Sequence, residues 1–151
     1  MTTKELNRKK KYPDTTTFHW HNANPHGVIT GDCVTRAISV ALDIDYNIAV
    51  MMGAIAQIKT GYDNATAQGI DYIVGECGWV KMKQPRKSNN RKYTGKEFCR
   101  AIKKGVFPEL QGKRIIANIG GHHTVAIVDG KVWDTWDSTD GCIGNYWIEF
   151  K

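Results

Sequence analysis

The amino-acid sequence predicts an α+β protein, with helices in its first part and an antiparallel β-sheet in its second part. Apolar residues recur at helical spacing between residues 33 and 104. From Lys113 onward they fall in short alternating runs, which is the pattern of strands that bury one face. Asp129-Gly130 separates two of these runs, and this dipeptide is a strong signal of a β-hairpin.

The length and charge of the chain restrict what it can be. Its 151 residues suit a single domain with one hydrophobic core. Of the formal charge of +6, residues 1–11 contribute +4 and residues 81–104 contribute +9, so the other residues sum to −7. The basic segments are either a solubilising tail and a solvated loop, which is the more common case, or a weak contact of residues 4–11 and 81–104 with a polyanion such as nucleic acid.

The composition argues against a membrane protein and against a secreted disulfide scaffold. No apolar run approaches the roughly 18 residues of a membrane span. The charged N-terminus is not followed by the apolar segment of a signal peptide. We therefore expect a cytoplasmic protein without membrane contact, whose cysteines stay reduced. A basic flexible tail over residues 1–17 and a single domain over residues 18–151 complete this prediction.

Cys33 begins the clearest helical pattern of the chain. Apolar residues follow it at positions 34, 37, 38, 41 and 42, which form one face of a helix. Asp32, directly before it, is a favourable N-cap residue. Free backbone N–H groups and the positive end of the helix dipole stabilise a thiolate in a first turn, and the thiolate is the nucleophilic form of cysteine. Taken alone, the pattern is more often that of a cysteine that simply begins a buried helix.

The remaining elements follow in chain order. Helices are predicted over residues 46 to about 59, over 67–77, and from the capping box of Thr94 and Glu97 to about residue 104. Strands are predicted at Trp79–Met82, 113–119, 123–128, 131–136 and 145–150, with a polar basic loop at 83–93. Cys77 and Cys99 lie inside apolar stretches and are expected in the core, whereas Cys142 is given no role.

The predicted hairpin carries two histidines where it starts and two aspartates where it ends. With a two-residue turn at Asp129-Gly130, residues lie opposite each other on the two strands when their numbers sum to 259. This register puts His123 on the same face of the sheet as Asp134, and His122 on the same face as Asp137. A one-residue bulge would exchange these assignments, so His122 and Asp137 remain an alternative pair.

Three residues of the chain are of the types that a thiol catalyst requires. A nucleophilic cysteine needs an imidazole that takes its proton and later gives a proton to the leaving group. The imidazole needs a third group that fixes its tautomer and orientation. Cys33, His123 and Asp134 supply these types and occur in this order along the chain.

This order is that of the papain-like cysteine peptidases, and the local sequence resembles theirs as well. The strand that begins at His123, His-Thr-Val-Ala-Ile-Val-Asp-Gly, resembles their His-Ala-Val-x-x-Val-Gly. Asp134-Thr-Trp136 resembles their Asn-Ser-Trp, in which the Asn orients the His and the Trp covers that bond. The chain is similar to small papain-fold proteins of phages and bacteria. The resemblance covers residues 31–42 and 121–137.

The resemblance implies a papain-like α+β fold, with N-terminal helices packed on a C-terminal antiparallel sheet. It implies a thiol hydrolase acting on a peptide or isopeptide bond, or a related acyl transferase, in the cytoplasm of a bacterium or a phage-infected cell. Cys33 would be the nucleophile, His123 the base and acid, and Asp134 the group that orients His123. The substrate would be a peptide or protein, and no cofactor or metal is implied.

Two positions depart from the pattern of papain. Papain has a Gln six residues before its Cys, where it helps to bind the oxyanion, and here this residue is Gly27. Papain has a Trp directly after the Cys, where this chain has Val34. The oxyanion would then be bound by the backbone N–H of Cys33 and by one side chain, with His26 and Asn24 as candidates.

Two other interpretations remain open from the sequence. The chain could be a non-catalytic phage-type binding protein that uses its basic loop and tail to engage nucleic acid or an acidic host protein. His19, His21, His26 and Cys33 could bind a metal, but their irregular spacing disfavours such a site. We predict instead that residues 18–26 form a loop along the wall of the cleft beside Cys33.

Overall fold

The computed structural model describes residues 1–150, and within them the chain forms an α+β structure, as predicted. The α-helices in this part of the chain are α1 (Thr3–Lys11), α2 (Cys33–Leu42), α3 (Tyr46–Thr60), α4 (Ala67–Gly75) and α5 (Gly95–Lys103). A 3-10 helix spans Pro108–Leu110. The strands are β1 (Phe18–Trp20), β2 (Trp79–Met82), β3 (Ile115–Ile119), β4 (His123–Val128), β5 (Lys131–Asp134) and β6 (Ile143–Glu149).

The helix boundaries follow local signals in the sequence. α3 ends at Gly61, which adopts a left-handed conformation with a φ of 77° that glycine takes without strain. α5 begins with the predicted capping box, in which the Thr94 hydroxyl accepts the Glu97 N–H and the Glu97 carboxylate accepts the Thr94 N–H. α2 and α3 also begin where their apolar periodicity starts.

The strands form one mixed sheet in the order β1-β5-β4-β3-β6-β2. The predicted antiparallel arrangement is correct for β3 to β6 and for β2, but β1 lies parallel to β5. β1 was predicted as part of a loop. It forms a strand because Phe18 and Trp20 alternate into the core, while His19 between them stays half-buried. Strands from the first part of the chain therefore form both edges of the sheet.

The hairpin of β4 and β5 has the predicted register. Val128 opposes Lys131 and Ala126 opposes Trp133, with no bulge between the two strands. β5 is shorter than predicted and ends at Asp134, so that Trp136 lies beyond the strand. The register therefore leaves His123 at the start of β4 near Asp134 at the end of β5.

The two faces of the sheet bury separate clusters of apolar side chains. One face packs against α2, α3 and α4, with Ile38, Ile70 and Trp147 fully buried. The other face packs against α5, around Phe98 and Leu110. Burying each such side chain contributes about 1.5–3 kcal/mol. Because α2 lies across β4 and β5, its first turn is held beside the ends of these strands.

The segment predicted as a flexible basic tail contains α1. Thr2 and Glu5 form a capping box at its start, and four basic residues occupy its last turn. The helix was not predicted because its residues show no apolar periodicity. The division between residues 1–17 and the domain at 18–151 stays a prediction.

Within the described residues, no single helix has the length and the apolar composition needed to cross a membrane. α2 and α3 meet this test only when taken together, and the two are bent by 116° at the break between them.

Candidate active site

Cys33 is the first residue of α2, and its thiol is half-buried. Asp32 takes the N-cap position, as predicted, but its side chain makes no capping hydrogen bond. The Asp32 carboxylate instead accepts hydrogen bonds from the Arg36 Nε, the Tyr46 hydroxyl and the Asn24 amide, at 2.8, 2.7 and 3.0 Å. The capping prediction was therefore wrong in its chemistry, because a buried guanidinium competes for the carboxylate.

The structure brings Cys33 and His123 together. His123 is the first residue of β4 and lines the same cleft as Cys33. Burial by itself raises the pKa of the Cys33 thiol. Hydrogen bonding by the His123 side chain and the Thr124 backbone, with the charges of His123 and Arg36, outweighs burial and lowers this pKa below the usual value for cysteine. Such a thiol ionises more readily than an ordinary cysteine.

His123 is held between the thiol and Asp134. Its Nε2 atom lies 2.5 Å from the Asp134 Oδ2, so Nδ1 is the ring nitrogen left to face Cys33. Burial alone lowers the pKa of His123, but the hydrogen bonds to Asp134 and Cys33 and their negative charges raise it to about 9. The imidazole is therefore protonated at neutral pH, and with an ionised Cys33 it forms a thiolate–imidazolium pair.

Asp134 is the buried end of this chain of contacts, with 1% of its surface exposed. Its Oδ2 contacts His123, and its Oδ1 accepts hydrogen bonds from the Arg36 Nη1 and, at 2.7 Å, from the Thr135 N–H. A buried carboxylate is stable only when it is paired and hydrogen-bonded, and here every partner is a donor. Asp134 can therefore keep the orientation of His123 fixed.

Arg36 is a site residue that the sequence analysis missed. It lies three residues after Cys33 on α2 and joins Asp32 to Asp134 through its guanidinium. Burial alone lowers the pKa of Arg36, but Asp134 and Asp32 raise it, so the group stays charged. The signal in the sequence was the spacing of Asp32 and Arg36, which places an acid and a base on one helix face at i and i+4.

The alternative pair, His122 and Asp137, is not brought together. The Asp137 carboxylate accepts hydrogen bonds from the backbone and the hydroxyl of Thr139, at 3.0 and 2.5 Å. His122 is exposed. The alternative pair required a one-residue bulge between β4 and β5, and these strands pair without one.

Trp136 and β1 surround the histidine and its acid. The Trp136 ring lies against His123, with 4.9 Å between the ring centroids and an angle of 40° between the planes. On the other side, the Trp20 indole donates to the Thr135 carbonyl at 3.0 Å, and the His21 N–H donates to the Asp134 carbonyl at 2.8 Å. β1 thus fixes the backbone that carries the acid.

Cys33 and His123 both line a cleft of about 230 Å³. The other residues that line it are Arg8, Ile29, Thr30, Gly31, Arg36, Thr135 and Trp136. A second cleft of about 270 Å³ is also lined by His123 and Trp136, together with His122 and Gly120. The two clefts therefore share His123 and Trp136 in their walls.

The two predicted oxyanion side chains do not line the cleft of Cys33. The Asn24 side chain is buried, and its amide donates to Asp32 and, at 3.3 Å, to the Tyr46 hydroxyl. His26 is exposed. Nearness to Cys33 in sequence therefore does not bring either candidate side chain to this cleft. The backbone N–H groups at the start of α2 remain as donors.

The other cysteines lie in different environments. Cys99 is fully buried, as predicted, and burial raises its pKa to about 12. Cys77 was expected in the core but is exposed, because α4 ends at Gly75 before reaching it. Burial of part of its side chain and the nearby Glu76 raise its pKa. Cys142 is exposed.

His19 and His21, two of the candidate metal ligands, have other contacts. The His19 Nδ1 lies 2.8 Å from the Asp14 carboxylate, and both His19 and His21 pack edge-on against Trp133. Within residues 1–150, no group of three or more His, Cys, Asp or Glu side chains is arranged to hold a metal ion.

Comparisons of this chain with protein-family models, with curated protein sequences and with solved structures find no match.

Proposed function

We propose that this protein is a papain-like thiol hydrolase that cleaves a peptide or isopeptide bond, or carries out a related acyl transfer. The observation that carries the proposal is the grouping of three residues: Cys33 and His123 line one open cleft, and His123 is hydrogen-bonded to the buried Asp134. The lowered pKa of the thiol and the raised pKa of the imidazole are those of an activated nucleophile and its acid.

Each residue would have a defined task in the reaction. The Cys33 thiolate attacks the carbonyl carbon of the substrate, and the carbonyl oxygen takes up the negative charge. Backbone N–H groups at the start of α2 stabilise this oxyanion. The imidazolium of His123 then protonates the leaving amine, and an acyl-thioester on Cys33 remains.

The second half of the reaction returns the enzyme to its starting state. Neutral His123 takes a proton from water, or from an acceptor amine in the case of transfer. The resulting nucleophile attacks the thioester and releases Cys33 as a thiolate. Asp134 keeps the ring oriented and stabilises its protonated form throughout, without taking the proton itself.

The papain-like fold belongs to the same proposal. It is supported by a helix that begins at the cysteine, by a following strand that begins at the histidine, and by an acid at the end of the next strand. Trp136, two residues after Asp134, packs on His123, which is the contact that the resemblance implied.

Alkylation at pH 6 tests the proposal. Iodoacetamide reacts with thiolates, so mass spectrometry should find Cys33 modified well before Cys77, Cys99 and Cys142. Equal or slower labelling of Cys33 would refute its activation. A screen of peptides and ubiquitin-like conjugates, with Cys33→Ala as the control, would then identify the bond that is cleaved.

A second candidate function rests on the exposed cations of α1 and the loop at 83–93. Lys9, Lys10, Arg91 and Lys92 are exposed and form no ion pair within the described residues. We propose that they could hold a polyanion such as nucleic acid, or an acidic host protein. Affinity for a single-stranded oligonucleotide should then fall steeply with salt, and an affinity independent of salt would exclude this role.

A further inference from the structure

Arg8 of α1 extends to the cleft that contains Cys33. It is half-buried there, unlike its neighbours Lys9 and Lys10, which are exposed. A second arginine, Arg36, also lines the cleft, but its guanidinium is already paired with the carboxylates of Asp32 and Asp134. Within residues 1–150 no carboxylate pairs with Arg8. Arg8 is therefore the arginine of this cleft that is available to a ligand.

The position of Arg8 is fixed by the contacts that hold α1. Glu5 is buried, and its carboxylate accepts hydrogen bonds from the Thr2 N–H at 2.7 Å and from the Asn22 amide at 3.0 Å. The Thr2 hydroxyl donates to the Gly27 carbonyl at 3.1 Å. Glu5 and Arg8 are three residues apart and share one face of the helix. The contacts that bury Glu5 therefore also turn Arg8 toward the cleft.

Gly27 allows α1 to approach this closely. Its φ is 67°, and a Cβ atom added to it would lie 2.6 Å from the Thr2 Cγ2 and 2.9 Å from the Glu5 Oε2. Any larger residue would have to displace the start of α1. The residue that replaces the oxyanion glutamine of papain thus makes room for a helix that brings a cation to the cleft.

We propose that Arg8 is a specificity-determining residue that binds a carboxylate of the substrate beside the bond that Cys33 attacks. A guanidinium presents paired donors that match the two oxygens of a carboxylate. The preferred substrates would then be acidic peptides or acyl groups. This inference rests on the proposed role of Cys33 as the nucleophile, because the carboxylate is recognised next to the reacting sulfur.

Two alkylating reagents that differ only in charge test the inference. Iodoacetate and iodoacetamide both transfer a two-carbon group to the Cys33 thiolate, with iodide as the leaving group, but only iodoacetate carries a carboxylate. In the unsubstituted protein we expect Cys33 to react faster with iodoacetate than with iodoacetamide. Arg8→Gln should lower the ratio of the iodoacetate rate to the iodoacetamide rate at Cys33 about fivefold, the size expected for a partly exposed ion pair. The ratio cancels any change in the reactivity of the thiol itself.

Lys10→Gln is the matched control, because it removes the same charge from the same helix at a residue that does not line the cleft. Its ratio should stay within twofold of the unmodified protein. Gly27→Ala, which displaces α1, should lower the ratio in the parent protein but not in the Arg8→Gln background. Thermal unfolding of each variant identifies any loss of the fold.

The outcomes separate the two proposals. If iodoacetamide modifies Cys33 rapidly but Arg8→Gln leaves the ratio unchanged, the role of Arg8 is wrong and the proposed function stands. An equal drop of the ratio in Lys10→Gln would show a general charge effect and would also overturn the inference. If both reagents react with Cys33 as slowly as with Cys142, the proposed function fails, and the role of Arg8 fails with it.

Discussion

The first turns of α2 and α5 are comparable in sequence but use their backbone N–H groups differently. At α5 the N–H groups of Gly95 and Lys96 donate to carbonyl oxygens in the loop at 139–141, at 2.8 and 2.9 Å. The N–H of Glu97 donates to the Thr94 hydroxyl at 3.2 Å. The first donors of this helix are thus all used within the protein, which stabilises the helix start.

At α2 the corresponding residues are directed elsewhere. Asp32 stands where Thr94 stands in α5, but its carboxylate binds Arg36 and Tyr46 instead of the helix N–H groups. The first turn, with Cys33, lines an open cleft. The same local motif thus has two outcomes: the start of α5 is closed by its own loop, and the start of α2 is left without a side-chain cap beside a cleft.

The cysteines of the two helices show the same contrast. Cys33, in the first turn of α2, has its pKa lowered despite partial burial, because His123 and Arg36 stabilise the anion. Cys99, in the interior of α5, has its pKa raised to about 12 by burial. Reactivity therefore follows from position on the helix and from the neighbouring cations, and not from the presence of a helix.

The largest effect is expected from substituting the two adjacent histidines, His122 and His123, one at a time. His123 lines the cleft of Cys33, whereas His122 is exposed beside the loop that closes α5. His123→Asn should slow the alkylation of Cys33 by iodoacetamide at pH 6 about 100-fold, because a thiol of ordinary pKa is less than about 1% ionised there. Stopped-flow kinetics with mass spectrometry measures this rate.

His122→Asn is the control for this test, and it should leave the rate within twofold. If the two variants slowed Cys33 equally, or if His122→Asn alone did so, the assignment of the imidazole to His123 would be wrong.

The elements that positioned His123 could be predicted from the sequence because their signals are local. The periodicity after Cys33 predicted α2, and the turn at Asp129-Gly130 predicted the register of β4 and β5. The register in turn predicted that His123 and Asp134 share a face, and their side chains are in contact. Counting residues outward from the turn was enough to pair a side chain at the start of β4 with one at the end of β5.

Contacts between distant parts of the chain could not be predicted in this way. The bond of Arg36 to Asp134 joins residues 98 positions apart, and no local pattern encodes it. The strand at Phe18–Trp20 depends on an open edge of β5. α1 is held mainly by buried polar contacts of Glu5 rather than by an apolar face, so its hydrophobic pattern gave no signal.

The two aspartates near the helix starts offer a second, smaller test. Asp134 holds the pKa of His123 up, whereas Asp137 bonds Thr139, whose carbonyl accepts the Lys96 N–H of α5. In nuclear magnetic resonance titrations the pKa of His123 should be about 9. Asp134→Asn should bring it down toward the ordinary value near 6.5 while keeping an oxygen acceptor for the ring. Asp137→Asn should leave it unchanged.

The same titration has a consequence for stability. Because the pKa of folded His123 lies above its unfolded value, protonated His123 stabilises the fold fully below about pH 6.5, and this contribution is lost as pH rises through about 9. Urea unfolding in a Cys33→Ala background, where the thiol no longer titrates, should show the part of this loss that Asp134 causes, at a pH below about 9 because Cys33 no longer raises the pKa of His123. It should be reduced in Cys33→Ala combined with Asp134→Asn. An equal pH dependence with and without Asp134 would contradict the pairing.

The smallest expected effect concerns the cap of α5 alone. Thr94→Ala removes the hydroxyl that accepts the Glu97 N–H and should lower the free energy of unfolding by about 1 kcal/mol. Thr94→Ser keeps the acceptor and should restore most of that loss. Neither variant should change the alkylation rate of Cys33, because α5 packs on the opposite face of the sheet from α2. A slower Cys33 in Thr94→Ala would mean that the two helix starts are coupled through the sheet and that the contrast between them is not a division of tasks.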